Sequence, residues 1–302
     1  MSVDPADYVA EILGEPSASM RNPANADYQC PFINSECTKR AQSVTGPYPV
    51  CSALRHEGKK TKTRRFVCLC PKRFFEAEIL PEVVNRCWPG PPPENPQYVH
   101  EIKMSQFGNV DFVVADIKDG KVLQFVSVET QAIDITGSLY PAYEALTSNQ
   151  MLDHPPSFGL NYANVYKRYV TQLIGKGYFH HHWQTKIVSV VQDIVFDDIQ
   201  KRTNFPSIPL AQANIVFMSY RFEFDQVEAR FKPILDKVVG THHSNLQNAV
   251  LYQTPPSREK FCERIELQLK KGRAHVGPPD EINMAEESAA LFEPPPDGTE
   301  ET

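Results

Sequence analysis

No apolar run in the sequence approaches the roughly 20 residues that a membrane-spanning helix needs. The amino terminus carries Asp4, Asp7 and Glu11 in place of a basic and then apolar leader, so no secretory signal is expected and the cytoplasm is the expected compartment. Internal repeats, a phosphate-cradling glycine loop and a nucleophile elbow are all missing, which argues against a nucleotide-dependent enzyme and a serine hydrolase. Seven cysteines are present without a single C-x-x-C knuckle. Lys and Arg are absent from residues 274–302, which hold eight acidic side chains. Residues 1–273 therefore carry all 31 basic groups against 29 acidic ones, and the formal charge of −6 belongs to the tail. That tail, rich in proline and poor in large apolar groups, reads as disordered.

What is present centres on Val110 to Asp134, VDFVVADIKDGKVLQFVSVETQAID. Two apolar strands flank a tight turn at Asp119-Gly120, and three polar groups, Asp111, Glu129 and Gln131, lie among buried valines, where they need either a hydrogen-bonded network or a metal. Side chains alternate along a strand, so the loop decides which residues share a face. A two-residue loop pairs positions summing to 239 and sends Asp111 and Glu129 to opposite faces. A three-residue loop with Gly120 left-handed makes the sum 238 and unites them with Gln131, as would a two-residue loop with a bulge elsewhere that restores the parity. Both faces are apolar and both should be covered, which predicts an α/β fold: a mixed central sheet flanked by helices, with a small Cys-rich metal-binding module.

Six cysteines fall between Cys30 and Cys87, where a cytoplasmic chain favours a metal over disulfides; four thiolates in a tetrahedron fit zinc or a single iron. Scattered small buried thiols are the alternative. PGPPPENP (Pro89 to Pro96) marks a boundary, giving residues 1–90 as the amino-terminal helix and Cys region, 91–273 as the main domain and 274–302 as the tail. Helices are predicted over Asp4–Leu13, Asn161–Lys176, Asp193–Arg202 and Gln226–Val239, and strands over Lys186–Gln192 and Ala213–Phe224. Arg55 to Arg73 holds eight Lys or Arg against one Glu, either a solvated loop or a phosphate-contacting patch. Lys167 and Arg168 are further charges on the solvent side of their helix. The clusters His180-His181-His182 and His242-His243 are placed away from the carboxylates.

An Asp on one strand and Glu-x-Gln on the next supply hard oxygen ligands suited to magnesium. Such a triplet alone is weak. Several further pieces occur in a fixed order, however: ADYVAEILG, Cys30-Pro31-Phe32, Cys37, Pro49-Val50-Cys51, Cys70-Pro71-Lys72-Arg73, Val110-Asp111-Phe112, Val128-Glu129-Thr130-Gln131, Asp134, Gly137-Ser138 and Asn164-Val165-Tyr166-Lys167-Arg168. In these the chain resembles the NotI-like restriction endonucleases of the PD-(D/E)xK nuclease superfamily. The resemblance implies a magnesium-dependent type II enzyme that cuts double-stranded DNA as a homodimer, and a structural iron, with zinc as the alternative, held by Cys30, Cys37, Cys51 and Cys70. Cys68 is the rival to Cys70. It implies Asp111, Glu129 and Gln131 as catalytic residues, with Asp111 and Glu129 holding Mg2+, and Glu101 as a looser match to an upstream acid. Val110 stands where the superfamily has proline, Gln131 where it has lysine, and the acidic tail has no counterpart. A GC-rich palindrome such as CGGCCG, read by arginines on guanine edges, follows from the resemblance and from two-fold symmetry. A non-catalytic nucleic-acid-binding protein and a carboxylate-pair glycosidase are the competing readings.

Overall fold

The computed structural model describes residues 2–18, 28–40, 46–56, 63–104 and 107–271. The predicted acidic tail and part of the basic stretch, residues 57–62, lie outside them. The chain separates into two compact units, Met1–Gln253 and Thr254–Thr302. In the second, the described helix Arg258–Lys270 starts at Ser257, whose Oγ accepts from Lys260 N at 3.3 Å.

In the first unit, β1 (Val9–Ile12), β2 (Glu15–Pro16), β3 (Gln29–Cys30), β4 (Ser35–Glu36), β5 (Val50–His56) and β6 (Arg64–Cys68) come first. Strands β3 and β4 pair with each other, and the other four form a sheet in the order β2-β1-β5-β6. A 3-10 segment, Pro71–Ala77, and α1 (Ile79–Cys87) lead to β7 (Gln97–Lys103), β8 (Asn109–Lys118) and β9 (Lys121–Gln131). After β10 (Ile135–Gly137), α2 (Tyr140–Thr147) and β11 (Phe158–Leu160) the chain enters one long helical run: α3 (Tyr162–Asn164), a π-helical segment (Val165–Val170) and α4 (Thr171–His182). Then come β12 (Lys186–Gln192), α5 (Asp193–Thr203), β13 (Ile215–Asp225), β14 (Arg230–Thr241) and α6 (His243–Leu251).

The central sheet runs β14-β13-β12-β9-β8-β7, with β12 parallel to both β9 and β13 and the remaining pairs antiparallel. A mixed sheet with helices on its two faces is the predicted α/β class. Phe112, Val114, Val126, Val128, Val188, Val190, Val216 and Met218 form one face, against Ile79, Val83 and Val84 of α1. Ile187, Val191, Ile215 and Phe217 form the other, against Val165, Tyr169, Val170 and Leu173 of the long helical run and Ile194, Val195, Phe196 and Ile199 of α5. Coverage stops short at the β7 side, where Val99, Ile102, Ile117, Val122 and Leu123 remain exposed.

Two predicted helices are strands. Asp4 does cap a turn, its Oδ1 accepting from Ala6 N at 2.9 Å, but that turn ends at Asp7. Val9 to Ile12 are buried on every side and pair with β2 and β5, a burial that one helical stripe could not supply. At the other end, Asp225 Oδ1 accepts from Val227 N and Glu228 N at 2.8 and 3.1 Å, turning the chain back so that β14 pairs with β13. Its Asx turn outweighs the helical spacing of the following residues.

The hairpin takes the two-residue loop, with a bulge that restores the parity. Asp119 and Gly120 have φ of +51° and +73°, a two-residue type I′ turn of the kind Asp-Gly favours. Pairing starts at Lys118↔Lys121 and Ile117↔Val122, then jumps to Asp116↔Gln124 and holds to Phe112↔Val128. Leu123 is left without a partner, a bulge that exchanges the faces. The carboxylates thereby share a face through the bulge in β9 and not through a longer loop.

Leu123 is 60% exposed, so Leu123→Ala should change stability by less than about 0.5 kcal/mol. Deleting Leu123 should destroy the cooperative urea transition, because unbroken pairing drives one strand's core residues to solvent. A deletion variant with the parent's midpoint would show that the bulge does not set the register.

Candidate active site

The β8–β9 pairing ends at Phe112 opposite Val128, and continuing that register by one residue sets Asp111 against Glu129. Asp111 Oδ2 accepts from Thr130 N at 2.8 Å and from Thr130 Oγ1 at 2.9 Å, so its carboxylate is fixed by the strand it faces. Glu101 joins from the third strand: His100 pairs with Phe112 and Ile102 with Val110, which leaves Glu101 beside Asp111. Its φ of +51° is a left-handed conformation inside a strand, where a residue with a Cβ sits under strain. Glu101, Asp111 and Thr130 line a cleft of about 660 Å³ together with His100 and Lys72. Gln131 lies two residues beyond Glu129, its Nε2 donating to Ala132 O.

That cleft is walled by Phe112 and Ile79 on the α1 side; on the other side of the sheet the long helical run places a polar stripe over Ser127 and Glu129. Tyr169, Lys176 and His180 fall at helical spacing and meet three residues of the sheet that the register aligns. Tyr169 Oη bonds Ser189 Oγ at 2.6 Å, and Ser189 is the neighbour of Glu129 in β12. Lys176 Nζ donates to Glu129 Oε1 and, at 2.6 Å, to Asn109 O. His180 Nε2 bonds Ser127 Oγ at 2.7 Å, and its Nδ1 meets Lys176 O at 2.7 Å. The sequence places Lys176 at a helix end and His180 away from the carboxylates; both belong beside them. Continuing the spacing of Tyr169 and Leu173 by three and four residues reaches Lys176 and His180, and that was the available signal.

Burial pushes the Glu129 carboxyl up to about 7, Asp111 adds to the rise, and the Lys176 ammonium opposes it. Burial holds His180 neutral, with its pKa lowered to about 4. Two neighbouring carboxylates, one of them strained toward its acid form, are a donor set that a divalent cation relieves.

The cysteines gather at the amino-terminal sheet. Cys30 ends β3, Cys37 follows β4, Cys51 lies in β5, Cys68 ends β6 and Cys70 precedes the 3-10 segment. Burial raises Cys51 to about 12 and also raises Cys68 and Cys70, while the charges of Cys30 and Cys37 act on Cys70. Lys39 sits among them: burial lowers its pKa, the charges of Cys70, Cys51, Cys68 and Cys37 oppose that, and its Nζ donates to Val50 O and, at 3.1 Å, to Leu69 O. Cys68 packs with the core over the Phe112 face, whereas Cys30 and Cys37 belong to the core under the amino-terminal sheet. Among the described residues, the one trio of potential ligands whose donor atoms all lie within 4.8 Å is His181, His242 and His243. Its contacts are those of a clasp between α4 and α6: His242 Nε2 meets His181 Nδ1 at 3.2 Å, and Asn214 Nδ2 occupies His243 Nδ1 at 3.3 Å.

The basic stretch divides. Arg73 is fully buried, bonded to Glu11 at 2.9 and 3.0 Å, to Glu76 and to Phe231 O, and so is unavailable to a ligand. Arg64 pairs with Asp7 at 2.6 Å, Arg65 with Asp193 at 2.9 Å, and Lys72 donates to Thr38 Oγ1 at 3.1 Å.

The family described as "Restriction endonuclease NotI" matches residues 17–233, more than half of the chain. The chain belongs to the NotI restriction endonuclease family. No curated protein matches it. The matched span contains the cysteines from Cys30 to Cys70, the three acids and Lys176. As a type II restriction endonuclease of this family, the protein is a nuclease whose substrate is DNA. No described helix is long and apolar enough to cross a membrane.

Because the folded carboxyl of Glu129 lies above its ordinary 4.5, its contribution to stability is present at pH 4.5 and below and is lost as pH rises toward 7. In metal-free protein Glu129→Gln should therefore gain up to about 3 kcal/mol on the wild type between those limits. Urea titrations of both proteins across that range would check it, and parallel stability curves would refute the raised pKa.

Proposed function

We propose that this protein is a magnesium-dependent endonuclease cutting both DNA strands at a GC-rich palindrome such as CGGCCG, as a homodimer in the cytoplasm. The observation that carries the chemistry is the convergence of Asp111 and Glu129 on one face, with Glu101 beside Asp111 and the Lys176 ammonium on Glu129. Asp111 and Glu129 would hold the metal, whose chemistry is activation of water and stabilisation of charge on the phosphodiester. Thr130 aims Asp111. Lys176 opposes the rise that burial imposes on Glu129 and ties it to Asn109 O of β8. Gln131 offers an amide oxygen or N–H at the third position and no charge. Two-fold symmetry would give each strand one such site and each half-site the same reading surface.

A second metal is proposed at Cys30, Cys37, Cys51 and Cys70, holding iron or zinc as a structural ion. The soft donors are supplied by separate segments, Lys39 offsets the charge that four thiolates would carry, and Cys68 is directed into a different core. Binding would draw the sulfurs together and release their protons. Elemental analysis of protein purified without added metal should find one iron or zinc per chain; neither metal would refute the module.

For the catalytic reading, purified protein, Mg2+ and a plasmid carrying GC-rich palindromes should yield discrete double-strand fragments. Glu129→Ala should abolish cutting while retaining DNA binding, and Lys176→Met should lower the cleavage rate roughly 10²- to 10³-fold, the range for a lost electrostatic stabiliser. No cutting of any DNA, or full activity in Glu129→Ala, would overturn the assignment.

A further inference from the structure

Arg55 and Arg65 stand directly opposite each other in the antiparallel β5–β6 ladder. Directly opposed like charges destabilise a strand pair, and here they flank a concave feature: Arg55, His56, Arg65 and Tyr162 line a cleft of about 260 Å³ floored by Val67 and Ile194. Acidic neighbours offset only one member of the pair. Asp193 takes one guanidinium nitrogen of Arg65 at 2.9 Å, and Asp198 is engaged by Arg202 at 2.7 Å. Among the described residues Arg55 has no carboxylate in ion-pair range. Burial raises the pKa of Tyr162, so its hydroxyl remains a donor.

The cleft is tied to the chain that follows the strand carrying Glu129. Ile133 N, two residues past Gln131, donates to Cys68 O at 3.4 Å. Gln192, at the end of β12, clamps β6 by donating to Phe66 O at 2.8 Å and accepting from Cys68 N at 2.9 Å. From Glu129 to Ile133 is roughly 13 Å along an extended chain, a few nucleotides at about 3.4 Å of duplex axis per nucleotide of one strand.

We propose that Arg55 and Arg65, with the Tyr162 hydroxyl, bind one backbone phosphate of DNA a few nucleotides from the carboxylate site. The forked guanidinium donors match phosphate oxygens, and an anion between the two arginines removes the repulsion that their register imposes. The clamp rests on the reading of the protein as a DNA-cutting enzyme and adds to it a sequence-independent contact that positions the duplex.

Its test is the salt dependence of binding to labelled duplexes in metal-free buffer, measured by fluorescence anisotropy on the full chain. Arg55 is exposed, so Arg55→Gln should fold normally. The slope of log Kd against log salt should fall by about one in Arg55→Gln and again in the double variant with Arg65→Gln. Affinity should drop by the same factor on duplexes with and without a GC-rich palindrome. Arg86→Gln, which removes a charge already paired with Glu82 on α1, should leave the slope unchanged. Intact binding with an unaltered slope in Arg55→Gln, or an equal change in Arg86→Gln, would overturn the clamp alone. Absence of DNA binding by the unmutated protein would overturn the endonuclease reading as well.

Discussion

Two carboxylates on neighbouring antiparallel strands can cooperate only if they share a face, and face is a matter of parity. In this fold one unpaired residue decides it. The Asp-Gly turn demands a two-residue loop, which alone would turn Asp111 and Glu129 away from each other. Leu123 reverses that outcome twelve residues away from Asp111 in sequence. The bulge also keeps Phe112, Val114, Val126 and Val128 together on the opposite face, so the core over α1 and the acid site depend on the same register.

Parity brings the acids together and electrostatics then opposes them. Burial and the Asp111 charge both favour a protonated Glu129, so an arrangement without a counter-charge would rest in a form unable to hold a cation. Lys176 supplies that counter-charge from the helix above. A related solution appears at Arg73, where a fully buried guanidinium is met by Glu11 and Glu76 and also by the ring faces of Phe32 and Phe222. That arginine ties β1, the 3-10 segment and the start of β14 together. Losing one partner of such a buried set typically costs about 3–5 kcal/mol, because a charge is left unpaired.

Elements with a single strong local signal were legible. The continuous apolar run KIVSVVQ is β12 to the residue, and the helix after it starts at the predicted Asp193. The two strands that carry Asp111 and Glu129 were legible too, since apolar runs on either side of Asp119-Gly120 read as a hairpin. Failures came where tertiary partners outweighed local spacing. DYVAEIL has a helical cap and helical spacing, yet Glu11 is a core residue only because Arg73, 62 positions later, is there to receive it. The segment after Asp225 had helical periodicity, but its alternating residues fit the edge of β13 equally well.

Lys176 and the basic stretch show why charge in a sequence is an ambiguous sign. A lysine at a helix end carries no sign of burial and an arginine in a basic run reads as a solvated loop or a phosphate contact, although Lys176 is 3% exposed and Arg73 is not exposed at all. The difference is set by which side chain has a buried acid within reach, a property of the sheet register and not of the local string. Arg55, in the same run, has no such partner among the described residues and stays at the surface. The described charges of this run therefore do not constitute one patch: the fold uses some to hold itself together, and only those left over are free to meet a ligand.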